Sequence, residues 1–307
     1  MTAARASIVR GPAVVIFGGL TMYTESDISL TPKLSSQPIN TSFFGEVDAV
    51  DTDAQVDINF TPSGVWAYRT ALLPNASRAI GSDIYGSDAT CIIHSLAGEK
   101  LTFYATALTK MPQLRFAVKS PLFGPVTITA IRKDATAWST ADSLYKVESA
   151  AFSDTSFTRA SILQQLYTFT YGASPWNAIS TEMGVTIDFN VQLTPAFLEE
   201  TGTCGMAFGG ISAVVRFSPR TVTAANMLDL LVVQGTGAGP GTRRSAREAD
   251  FVVAGTGVAF TLKNCHPLES GVQFGSVTPR PGEIALGTSR SFTTGAMDAL
   301  FTMGTGA

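Results

Sequence analysis

The feature that most constrains this 307-residue chain is a run of alternating polar and apolar residues closed by proline, met twice in each half and in the same order. Asp27-Ile28-Ser29-Leu30-Thr31-Pro32 and Gln55-Val56-Asp57-Ile58-Asn59-Phe60-Thr61-Pro62 alternate as half-buried strands must, with every second side chain on one face. In the second half Ile187, Phe189, Val191 and Leu193 alternate before Thr194-Pro195, and Ile211, Ala213, Val215 and Phe217 before Ser218-Pro219. Each predicted strand ends at its proline.

The segment after the second proline repeats as well. Val65, Tyr68 and Leu72 share one helical face, with Ser63 placed to cap the helix start. Ala224, Met227, Leu228 and Leu231 fit the same template behind Thr223. Further on, Leu101-Thr102-Phe103 leads into Leu108-Thr109-Lys110-Met111-Pro112, and Val258-Ala259-Phe260 into Leu262-Lys263-Asn264-Cys265-His266-Pro267. The expected copies differ in the loop between their first strands, since Pro32 to Pro62 is 30 positions and Pro195 to Pro219 is 24.

These patterns predict two β-rich domains, 1–150 and 151–307, with a connector beginning near 133. Between Lys133 and Pro175 only Leu166 to Tyr171 alternates, and a short helix is predicted near Ser161 to Gln165. A composition 45% hydrophobic and 15% charged, with 28 glycines, excludes disorder. The net charge of -3 advertises no basic surface for nucleic acid. Cys91, Cys204 and Cys265 cannot all pair in one chain and are expected to be reduced, as in cytosolic folding. Ala13 to Leu20 is too short to span a bilayer and does not read as a secretion signal, so a soluble protein with no membrane insertion is expected.

Chemistry finds little support. His94 and His266 are the sole histidines; neither Cys91 with His94 nor Cys265-His266 reaches the four converging ligands of a zinc site. The glycine-rich run Gly235 to Thr242 fails both nucleotide fingerprints, and no Gly-x-Ser-x-Gly elbow occurs. No catalytic, cofactor-binding or metal residue is therefore assigned, and no enzyme is expected. Two charge clusters are candidate contact sites instead. Glu46, Asp48, Asp51 and Asp53, followed by Asp57, make an acidic loop between the first two strands, which lacks the order of a calcium loop. Arg243, Arg244 and Arg247 make a basic loop suited to carboxylates on a neighbouring subunit. Trp66 is expected in the core; Trp138 and Trp176 are the aromatics a carbohydrate-binding β protein would use.

Gly11-Pro12-Ala13-Val14-Val15-Ile16-Phe17, the Asp27–Pro32 strand, Phe44-Gly45-Glu46-Val47-Asp48 and Val56 to Gly64 together resemble phage tail tube proteins. Gly98 to Thr102, Lys110-Met111-Pro112 and Leu122-Phe123-Gly124 continue the likeness over most of the first half. The resemblance implies a mainly β fold of two tandem tube-like sandwich or barrel domains, each with a short flanking helix. It implies rings stacked into a non-contractile virion tail, three chains imitating six single domains around a channel for DNA. Partners implied are further copies of the chain, a terminator, a tape measure and a distal tail protein, with transient passage of DNA and folding in the host bacterial cytoplasm. A terminator, hub or distal tail protein of related fold is the nearest alternative. The acidic loop would then serve ring stacking or the lumen.

Overall fold

The computed structural model describes residues 12–43, 45–74, 78–85, 90–117, 121–131, 144–153, 167–172, 174–175, 184–198, 202–218, 248–274, 279–289, 292–293, 296–297 and 299–305. The alternating runs fold as strands, and the protein is mainly β. The first half supplies β1 (Ala13–Phe17), β2 (Leu20–Met22), β3 (Ser29–Thr41), β4 (Gly45–Phe60), β5 (Cys91–Ser95), β6 (Glu99–Phe103), β7 (Thr106–Lys110), β8 (Leu114–Phe116), β9 (Val126–Ile131) and β10 (Tyr145–Ser149). The second supplies β11 (Thr168–Tyr171), β12 (Ser174–Pro175), β13 (Val185–Leu198), β14 (Gly202–Phe217), β15 (Ala249–Gly255), β16 (Val258–Phe274), β17 (Pro279–Thr288), β18 (Phe292–Thr293), β19 (Ala296–Met297) and β20 (Phe301–Gly304).

Strand pairing among these elements is antiparallel, and the sheets are open; none closes into the barrel that was one expectation. The first half forms a five-stranded sheet, β10-β6-β5-β1-β2, and a four-stranded one, β3-β4-β9-β7. The second forms one large sheet, β12-β11-β15-β16-β17-β14-β13-β8, with β20 also on β16.

Behind these different sheet counts lies one connectivity used twice. β1 pairs with β2 and β5, β5 with β6, and β6 with β10. β11 likewise pairs with β12 and β15, β15 with β16, and β16 with β20. The order β3-β4-β9-β7 returns as β13-β14-β17-β16, so β16 takes the places of both β6 and β7. Between β6 and β7 stands Ala105 at φ 45, and at the matching point of β16 stands Asn264 at φ 54. The left-handed backbone there lets the chain turn from one layer to the other. Matched hydrogen bonds fix both points: Ile131 N–H donates to the Ala105 carbonyl as Ser289 N–H does to that of Asn264, and Tyr104 N–H to Leu144 as Lys263 N–H to Leu300.

The β3–β4 and β13–β14 hairpins correspond residue for residue at a constant 157-position offset, Thr41 with Leu198, Gly45 with Gly202 and Phe60 with Phe217. Even the bulges agree. Thr52 and Val47 are skipped by the ladder of the first hairpin, Gly209 and Cys204 by that of the second, at the same offset. A third slip recurs at Thr109 and Leu268. Bulges re-aim a strand and add twist, so their coincidence gives the two hairpins one shape.

This register corrects three expectations. Pro195 corresponds to Pro38 rather than Pro32, and Pro38 to Pro62 equals Pro195 to Pro219 at 24 positions, so the hairpins do not differ in length. Proline also fails to end the first strand of either pair: β3 runs through Pro32 and Pro38, and β13 through Pro195. Among the described residues β3 pairs with β4 alone, and β13 beyond Ile187 with β14 alone, so each proline sits on an edge strand where no second ladder asks for its missing N–H. Finally, the predicted helix after Pro62 is a 3-10 turn, Trp66–Tyr68, running into α1 (Arg69–Leu72), capped by the backbone at Val65 and not by the Ser63 side chain. The matching helix at 224–231, and the one near 161–165, lie outside the described residues.

The core is built from matched positions as well. Ile58 and Phe60 of β4 are buried like Val215 and Phe217 of β14, and Ile93 and Phe103 like Val253 and Leu262. Burial of each such side chain contributes about 1.5–3 kcal/mol. In the second half the layers meet through aromatic rings, Phe217 on Phe251 at 5.9 Å and Phe189 on Phe301 at 5.3 Å.

Candidate functional site

Among the described residues no pocket of converging catalytic groups marks this molecule, and its distinctive places are the seam between the halves and the exposed first hairpin. The seam begins at β8, which adds an edge to the second half's sheet by pairing Leu114–Phe116 with Val185–Ile187. The approach is so close that a Cβ at Gly184 would overlap the Phe116 carbonyl oxygen and the Ala117 side chain, and Gly184 has φ +66. Phe116 then lies against Tyr167 at 5.2 Å, Phe260 at 6.2 Å and Trp66 at 6.3 Å, while Trp66 stacks on Phe123 at 6.5 Å. The Trp66 indole N–H donates to the Gly304 carbonyl at 2.8 Å. Trp66 is thus a core residue, as expected, but of a core common to both halves.

On the far side of the seam, residues 81–84 run along β14. Gly81 N–H donates to Phe208, Phe208 N–H to Ser82 and Ile84 N–H to Met206, and the Asp83 carboxylate accepts from the Met206 N–H at 3.1 Å. Asp53, expected in a loop for ring stacking or the lumen, lies in β4 and bonds within the chain instead. Asp53 accepts from the Thr203 N–H at 3.1 Å, the Thr203 hydroxyl at 2.9 Å and the Gln55 amide at 2.8 Å, tying β4 to β14. Asp57 is buried, accepts from the Thr129 hydroxyl and pairs with Lys33 at 2.6 Å. Between them Tyr85 is buried, and burial first, then the charges of Asp57, Asp83 and Asp53, push its phenol well above the ordinary tyrosine range.

Glu46, Asp48 and Asp51, expected in a loop, lie in strand β4 opposite β3, further out along the hairpin than Asp53. The strand survives its charges because the hairpin stands free: every residue from Ser29 to Asn40 is exposed. An apolar stripe shares it, from the fully buried Ile58 to Leu30 opposite at 41% exposure and on to Leu34 at 66%. No sequence signal separates such a projecting hairpin from a half-buried one, since both alternate. Arg243, Arg244 and Arg247, with Trp138 and Trp176, lie outside the described residues.

The cysteines are free. Burial pushes the Cys265 thiol up to about 12 and raises that of Cys91 further. His94 bonds the Ala150 carbonyl at 2.9 Å and sits edge-on to Phe152, while His266 lies 3.5 Å from the Ser289 hydroxyl. Among the described residues no group of three His, Cys, Asp or Glu could hold a metal ion, and no helix is long and apolar enough to cross a membrane. No protein-family model matches the chain, and no curated protein matches it.

Proposed function

We propose that this chain is a structural subunit of a phage tail tube, polymerising as stacked rings around a channel for DNA, with three chains supplying six like units per ring. The observation that carries this reading is the residue-for-residue repetition of one strand unit, bulges included, fused on a shared core. Two copies of one shape presented in sequence suit a ring in which each unit contacts the next in the same way.

The sheet edges agree with it. Among the described residues no strand pairs with the outer edge of β3, or with that of β13 from Asp188 onward, and Leu30, Leu34, Ile39 and Phe197 are exposed nearby. Long open edges with apolar side chains drive aggregation unless neighbours cover them, and a closed ring covers them. Glu46, Asp48 and Asp51 on the outer hairpin give it negative charge that disfavours stable phosphate contacts, so DNA would slide past rather than bind. The sandwich-like tube domain, the virion tail location, and the terminator, tape measure and distal tail protein as partners belong to this same proposal.

Electron microscopy of the purified chain and of tail particles tests it. The expected result is stacked rings of three chains. Rings of six chains overturn the trimer, and single rings that never stack replace the tube subunit with a terminator or hub. A chain that stays monomeric at every concentration sinks the whole reading.

A further inference from the structure

The strand register shows where the second half receives the first, and the same register locates the equivalent place on the first half. In the seam, Phe116 sits on Tyr167 and Phe260, and β8 lies along β13 at Ile187, with Val253 opposite Phe260 in the ladder. Through the matched pairings, the counterparts of Tyr167, Ile187, Val253 and Phe260 are Ala13, Leu30, Ile93 and Leu101. All four line a single groove of about 870 Å³, rimmed by Glu25, Asp27 and Leu96.

Filled and open versions of one seat therefore coexist in the molecule. The contrast lies at the edge strand: Ile187 is 0% exposed beneath β8, whereas its counterpart Leu30 is 41% exposed, above a floor of buried Ile93 and Leu101 and beside Leu96, 57% exposed in the turn between β5 and β6. We propose that this groove receives the second half of another copy of the chain, repeating between chains the step that joins the two halves within one. A second copy is the occupant because the equivalent seat is already shaped to a half of this protein, and because β3 offers at Leu30 the open edge that β13 offers to β8. Each docking leaves a fresh groove on the incoming copy, so the contact is head-to-tail and closes as a ring or extends as a filament.

The two junctions are not equal. β7 and β9 are joined through 111–125, which holds β8, whereas at the matched register of the second half Val272–Phe274 pair with Pro279–Pro281 and lengthen the β16–β17 hairpin instead of supplying such a strand. The junction between chains thus lacks the strand that clips the junction within the chain, and is the one that opens first.

This inference rests on the self-assembling part of the proposed function but not on tails. The full chain carrying a photocrosslinking amino acid at Leu96, mixed with isotope-labelled chain, reports what enters the groove. Crosslinks between chains onto residues 167–305 are expected; crosslinks confined to one chain, residues 1–11 included, or reaching a neighbour's first half overturn it. Leu96→Asp should raise the concentration needed for assembly about tenfold or more, while Thr256→Asp in the matching turn of the second half leaves it unchanged. Equal effects, or none, in variants with wild-type circular dichroism refute the groove. Crosslinked particles that never stack keep the groove and reject the tube; tubes without groove crosslinks do the reverse.

Discussion

Truncating Phe116 to alanine tests whether the two halves stand on one core. Phe116 is 1% exposed and meets three rings, one from its own half and two from the other. A buried Phe→Ala change costs about 3–5 kcal/mol in transfer and cavity terms, and loss of edge-on and tilted aromatic contacts puts this site near the upper end. Against a total stability of about 5–15 kcal/mol, that is a large share. Urea unfolding followed by far-UV circular dichroism and by tryptophan fluorescence should give coincident transitions in both proteins, with the midpoint of Phe116→Ala displaced to much lower urea. Trp66→Phe calibrates the seam more gently, keeping a ring but removing the bond to Gly304, for about 0.5–1.5 kcal/mol. A Phe116→Ala loss under about 1 kcal/mol, or two transitions of which the second half's is unmoved, would refute the shared core.

Further tests reach the polar seam and the thiols. Asp53→Ala removes the acceptor of three hydrogen bonds to Thr203 and Gln55 and should cost about 1.5–3 kcal/mol, read as a fall in thermal midpoint. Native protein at pH 8 should label with a thiol reagent at Cys204 alone, because Cys91 and Cys265 are buried and held protonated, and at all three in urea. The same shifts set an alkaline limit: a thiol raised from 9.0 to about 12 contributes stability that is whole below pH 9 and lost progressively up to about pH 12. Tyr85, also raised, adds to the loss above pH 10, so Tyr85→Phe should flatten the fall in thermal midpoint at high pH.

The sequence by itself determined that the chain is β-rich, that one strand pattern recurs in both halves, and that the second strand of each pair stops just before a proline. Alternation and punctuation are local properties, and local properties survive in a string of letters. Tertiary structure decided the register between the copies, because a period of two cannot distinguish shifts by an even number of residues. Pro32 and Pro38 differ by six and so fit Pro195 equally well, until the bulges at Thr52 and Gly209, invisible in the alternation, choose Pro38. The placement of the acidic residues also came from the structure, since Glu46, Asp48 and Asp51 lie on the outer part of β4, whose inner end carries the core residues Ile58 and Phe60. So did the seam. Phe116, Trp66, Phe260 and Gly304 are far apart in the chain, and only packing, which answers to shape and buried area rather than to spacing, brings them together.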